Sequence, residues 1–171
     1  SVEANNITNV GEITTPTVKT TAELTNAENA TITATNGSVT VGANLTNAGE
    51  ITSDTVLATG DLTNDGSMNV ATTNVGGNLT DNGTWAESGI INFDGTSDQS
   101  FDSNPATKYA KINVENSGGS LTINNVLNVT NLQIYSNVIF EDSATIENLS
   151  IDMSSSEDEN FVNFAGEKTY T

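Results

Sequence analysis

One five-residue phrase returns five times in the first half of the chain: Ile7-Thr8-Asn9-Val10-Gly11, Leu24-Thr25-Asn26-Ala27-Glu28, Leu45-Thr46-Asn47-Ala48-Gly49, Leu62-Thr63-Asn64-Asp65-Gly66 and Leu79-Thr80-Asp81-Asn82-Gly83. Its leading aliphatic residues stand 17, 21, 17 and 17 positions apart. Two positions beyond each phrase lie Ile13, Ala30, Ile51, Met68 and Trp85, mostly large and apolar. Self-similarity at a fixed short period marks a chain built from stacked units. A unit with one apolar residue on each side of an Asn-x-Gly turn is a coil that lies on its neighbours. The expected fold is therefore all-β, a parallel β-solenoid of roughly ten coils of about 17–21 residues each. A β-sandwich also uses many short strands and Gly-rich turns, but it does not require that spacing.

Within a coil, alternation turns the aliphatic inward and its Thr and Asn/Glu neighbours outward. The Asn or Asp and the Gly that follow are expected to supply the positive-φ positions of a tight corner. A third, weaker strand carries Val18, Val56 and Val75, which makes the coil triangular. Its second copy is four residues longer, and Thr31 to Gly37 is expected to absorb the excess as a bulged corner. Residues 1–85 thus read as regular coils and 86–110 as irregular coils or a protruding loop. Residues 111–171 read as coils again, ending where another repeat starts, because Val162-Asn163-Phe164-Ala165-Gly166 repeats Ile91-Asn92-Phe93-Asp94-Gly95. The predicted stacking core is Ile7, Leu24, Leu45, Leu62, Leu79, Ile112, Leu132 and Leu149. Asn9, Asn26, Asn47 and Asn64 are expected to form an amide ladder along one corner, as in other stacked β structures. Trp85, Phe93, Phe101 and Tyr109 either fill enlarged coils or form a platform for a sugar ligand.

Charge narrows the function. Four lysines oppose 22 acidic residues, giving a formal net charge of −18, with no Arg, His or Cys. Such a surface repels phosphate backbones, whose binding depends on Lys and Arg, so nucleic acid is not an expected partner. No apolar run approaches the roughly 20 residues of a spanning helix, and membrane insertion is not expected. Without His or Cys the usual nucleophile–base pairs cannot be assembled, and no catalytic residue or cofactor is assigned. A carboxylate pair among Asp94, Asp98 and Asp102 is the remaining hydrolytic arrangement. Calcium is the one ligand the side chains suit, since hard cations take several oxygen donors. Its candidate ligands are Asp61, Asn64 and Asp65 in one turn, Asp94 and Asp98 in another, and the acidic run Glu157-Asp158-Glu159. No EF-hand spacing accompanies them.

The phrases Gly60-Asp61-Leu62-Thr63-Asn64-Asp65-Gly66 and Gly77-Asn78-Leu79-Thr80-Asp81-Asn82-Gly83 resemble the β-helical repeat regions of large secreted bacterial surface proteins and adhesins. The stretch from Phe93 to Phe101, with Ile112-Asn113-Val114 and Gly118-Gly119-Ser120-Leu121-Thr122-Ile123, is similar to repeats of secreted Bacteroidetes surface proteins. This resemblance implies a right-handed solenoid and an extracellular or cell-surface location. The expected function is structural: a subunit or segment of a bacterial surface filament or adhesin stalk. Its partner would be another copy of the chain, stacked head to tail, or neighbouring repeats of the same chain. The alternative is a module that binds carbohydrate, such as surface glycans, or a partner through residues 86–110.

Overall fold

The computed structural model describes residues 1–151, 162–164 and 169–170. They form two sheets in which every strand pair is parallel, and no helix occurs among them. One sheet stacks nine short strands, beginning with Ile7–Asn9, Leu24–Asn26, Leu45–Asn47, Leu62–Asn64 and Leu79–Asp81. The other contains longer strands such as Glu50–Ala58 and Ser67–Val75, each turning a corner at an exposed residue, Asp54 or Ala71. A coil therefore has three faces: one in the short-strand sheet and two in the bent sheet. This is a β-solenoid in which the described residues make about nine coils, close to the number expected, about 40 Å long at the usual spacing of neighbouring strands.

The register stacks equivalent residues directly. Ile7, Leu24, Leu45, Leu62 and Leu79 form one column, and Ile13, Ile32, Ile51, Met68 and Trp85 form another. Side chains of alternate residues meet in the lumen, where Leu24, Ile32, Val39, Ile51, Val56 and Leu79 are wholly buried. Fully burying side chains of this size stabilises the fold by about 1.5–3 kcal/mol each. Burial is possible only because the coils above and below cover the open ends of each one.

The upper coils depart from the expected core. The leucine column continues through Phe101, Ile123 and Phe140, not through Ile112, Leu132 and Leu149. Those three lie in the bent sheet, on a column that begins with Val2, Val18, Val39, Val56, Thr73 and Ile91. Leu149 is exposed by more than a third. The cause is a longer third corner. It runs from Ala58 to Leu62 and from Val75 to Leu79 in the lower coils, but from Phe93 to Phe101 and from Val114 to Ile123 above. Residues 86–110 accordingly take the enlarged-corner form, and Ile90–Phe93 and Gln99–Asp102 continue both sheets in register.

Two features of the corners also differ from expectation. The extra residues of the second coil divide between two sites: Ala27 to Ala30 replace a shorter corner at Ala48-Gly49, and Thr35 to Gly37 lie opposite Asp54 alone. Asn29 (φ 62°) and Asn36 (φ 53°), one at each site, take the left-handed backbone that Asn tolerates. Among the described residues no glycine has a positive φ, so the corner glycines serve another purpose. A Cβ on Gly49, Gly66 or Gly83 would lie about 2 Å from a carbonyl oxygen of the coil beneath: 2.1 Å from Ala30, 2.0 Å from Gly49 and 2.1 Å from Gly66, respectively. Glycine is required there by close stacking, not by the turn.

Candidate functional site

The most organised polar feature is the amide ladder, and it lies inside the rod. Asn26, Asn47 and Asn64 are completely buried and Asn9 nearly so. Each Nδ2 donates to the Oδ1 of the rung above: Asn9 to Asn26 at 2.9 Å, Asn26 to Asn47 at 2.9 Å, Asn47 to Asn64 at 3.0 Å and Asn64 to Asp81 at 2.9 Å. Each Nδ2 also donates to a backbone carbonyl of the next coil, that of Thr31, Glu50, Ser67 or Thr84. Only the NH₂ side of an amide can donate to a carbonyl, so every rung points the same way. The predicted ladder residues are all brought together, and the ladder has a direction.

Asp81 ends it. Its Oδ1 accepts from Asn64 and from the Gly83 N–H at 3.0 Å, and its Oδ2 accepts from the Tyr109 hydroxyl at 2.5 Å. A buried carboxylate is tolerated when several donors satisfy it, and three do so here. Burial, then the Asp81 charge, pushes the Tyr109 phenol well above its ordinary pKa. The Tyr109 oxygen in turn accepts from the Asn104 N–H at 2.9 Å.

Of the aromatic residues considered for a ligand platform, Phe93, Phe101 and Tyr109 are core. Their ring centroids are 5.3 Å apart, from Phe93 to Phe101 and from Phe101 to Tyr109, in tilted and edge-on contact. Trp85 is half-buried against the same core. Phe93, Phe101 and Tyr109 are packed in the interior and present no stacking surface to a sugar.

The calcium candidates do not converge. Asn64 is turned inward and both ends of its amide are engaged in the ladder. The Asp61 carboxylate accepts from the Asn78 N–H at 2.7 Å, and Asp65 accepts from Asn82 Nδ2 at 2.8 Å. Both are links between successive coils. Asp94 is exposed. The Ser120 N–H and hydroxyl hold the Asp98 carboxyl below its usual pKa. Asp102 accepts from Asn124 Nδ2 at 2.7 Å. Among the described residues no three His, Cys, Asp or Glu side chains form a group able to hold a metal. The run Glu157-Asp158-Glu159 lies outside the described residues.

Three further polar rows join the coils, of which the first two escaped the sequence reading. In the enlarged third corner Asn116 Nδ2 donates to Gln99 Oε1 at 2.9 Å, and Gln99 Nε2 donates to the Val75 and Gly77 carbonyls, all buried. On the outer surface Asn113 donates to Asn92 and Asn92 to Asn74, at 2.8 and 2.7 Å. Their spacing of 18 and 21 residues matches a coil step and was the signal available. Outside the leucine column, Asn6, Asn44, Asp61 and Asn78 each accept a backbone N–H from the coil above. These groups join one coil to the next along the rod. Comparison with family models, with curated proteins and with solved structures found no match to this chain.

Proposed function

We propose that the chain is a non-catalytic structural rod, a subunit or segment of an extracellular bacterial surface filament or adhesin stalk, extended by end-to-end strand stacking. One observation carries this reading. Equivalent side chains stack in register from coil to coil, with Leu24, Leu45, Leu62 and Leu79 buried one above another, so each coil is completed by the coils beside it. The backbone edge of a coil is a template for a further strand. A heterologous contact that does not close on itself propagates as a filament. A net charge of −18 keeps the sides of such rods apart through mutual repulsion, while their ends join. The resemblance to secreted surface repeats supports the location. Electron microscopy and sedimentation of the purified chain test the reading, with and without calcium. Rods several times about 40 Å in length are expected. Single units at every protein and calcium concentration would overturn self-assembly.

A further inference from the structure

Where glycine follows Asn or Asp, its backbone nitrogen has no side chain to shield it and can react with the carboxamide or carboxyl before it. The chain has four such pairs: Asn36-Gly37, Asp65-Gly66, Asn82-Gly83 and Asp94-Gly95. In three of them a hydrogen bond holds the glycine N–H: Gly66 donates to the Asn47 carbonyl at 3.1 Å, Gly83 to Asp81 Oδ1 at 3.0 Å and Gly95 to Gln99 Oε1 at 3.1 Å. The side chain of Asn82 is held as well, its Nδ2 donating to Asp65 Oδ1 at 2.8 Å. Asn36-Gly37 is different. Gly37 falls where the ladder jumps from Ala34 to Ser38, and it pairs with no residue of the coil below or above. Asn36 is exposed, on a left-handed backbone. Both residues are dictated by the fold: a Cβ on Gly37 would overlap the Pro16 carbonyl oxygen, and Asn tolerates the left-handed position before it.

We propose that Asn36 is a site of spontaneous covalent modification, at which the folded rod turns an amide into an aspartyl or isoaspartyl residue without an enzyme. The Gly37 nitrogen, having given up its proton, attacks Asn36 Cγ. The N–Cγ bond forms, the Cγ–Nδ2 bond breaks, and ammonia leaves with that proton. Water then opens the cyclic imide. Addition at Cγ restores the main chain, with aspartate at position 36. Addition at the main-chain carbonyl leaves Gly37 joined through the side chain, as isoaspartate, with an extra methylene in the backbone. The bulge, already outside the ladder, accommodates that methylene, and either product adds a negative charge at the corner. At Asn82 the same reaction would require the Asn82 and Gly83 bonds to be given up first, which calls for local opening of the coils.

The test is incubation of the full chain in mildly alkaline buffer, followed by peptide mapping that measures conversion of amide to acid at Asn36 and at Asn82. In the folded rod Asn36 should convert at least about tenfold faster than Asn82, since only Asn82 waits on local opening. In concentrated urea the two Asn-Gly pairs should convert at the same rate. Equal rates in the folded rod, or the same preference for Asn36 in urea, would each overturn the proposal that the fold selects this site. The converted rod should keep the melting temperature of the parent. A fall that grows with the extent of conversion would overturn the accommodation of the product by the bulge.

Discussion

The lower and upper halves of the rod fill a closed coil with different side chains. In the lower half, steps of 17 residues enclose Leu45, Ile51, Ser53, Val56 and Ala58, with an Asn amide closing one corner. In the upper half, the steps from Leu79 to Phe101 and from Phe101 to Ile123 are 22 residues, and the lumen holds Phe93, Phe101 and Tyr109. Perimeter sets the volume to be filled, and interiors must be filled at crystal-like density. The lower half adds a continuous amide ladder; the upper half replaces it with ring contacts and a second, shorter ladder at Gln99 and Asn116.

The largest break in this contrast is expected from Asn47→Ala. It removes the acceptor above Asn26, whose Nδ2 keeps the Glu50 carbonyl, and leaves Asn64 Oδ1 without its donor, in a site that water does not reach. A buried polar group left without a partner costs about 1–3 kcal/mol and each lost bond about 1 kcal/mol, so urea unfolding should show a loss of about 3 kcal/mol. The exposed Asn44 makes one bond to the Asp61 N–H, and its removal should cost about 1 kcal/mol. Equal losses would mean that the inner ladder has no special weight.

Exchanging the two core types tests the perimeter rule. Phe101→Leu places a lower-coil residue in an upper coil and leaves a cavity, with an expected cost of about 2 kcal/mol. Leu62→Phe overfills a coil of the smaller kind and should cost a similar amount, about 1–3 kcal/mol. Should both proteins unfold within about 0.5 kcal/mol of the parent, perimeter does not select the side chain.

The junction between the halves is the Asp81–Tyr109 pair. Tyr109→Phe removes the donor to Asp81 Oδ2 and should cost about 1.5 kcal/mol near neutral pH. It should also change the alkaline limb. With the folded-state pKa raised, both states hold the phenolic proton below about pH 10, and stability there is independent of this group. Above that pH the unfolded chain releases the proton first, so it binds fewer protons than the folded one and stability falls as pH rises. Thermal unfolding between neutral pH and pH 11 should show this decline in the parent. In Tyr109→Phe the part due to Tyr109 should be missing; an unchanged alkaline slope would show that this phenol is not involved.

The smallest expected effect is a gain. Thr73 stands in the bent sheet between Val56 and Ile91, completely buried, with a hydroxyl that has no hydrogen-bond partner. Thr73→Val keeps the shape and removes the desolvated oxygen, so stability should rise by about 1 kcal/mol. A loss would mean that the hydroxyl is satisfied in solution.

The lower half was legible because a stack of parallel coils repeats each inward residue at a fixed interval. Ile7 to Leu79 and Asn9 to Asn64 therefore stand out as columns in the sequence itself. The upper half was not. Ile112, Leu132 and Leu149 carry the same alternating pattern as the leucine column but belong to another face, since every face of a coil alternates alike. Gln99 and Asn116 occur as a single pair, and a pair has no period to detect.

What the sequence determined by itself was that the chain coils in parallel and that Leu and Asn recur as inward columns. The tertiary structure decided which face each strand joins, where the extra residues lie, and that the corner glycines make room for the coil beneath. Those decisions depend on atoms about 17–22 positions away in the chain, and closing a coil fixes them all together. A local pattern of alternation records that a side chain points inward, but not what it will meet there.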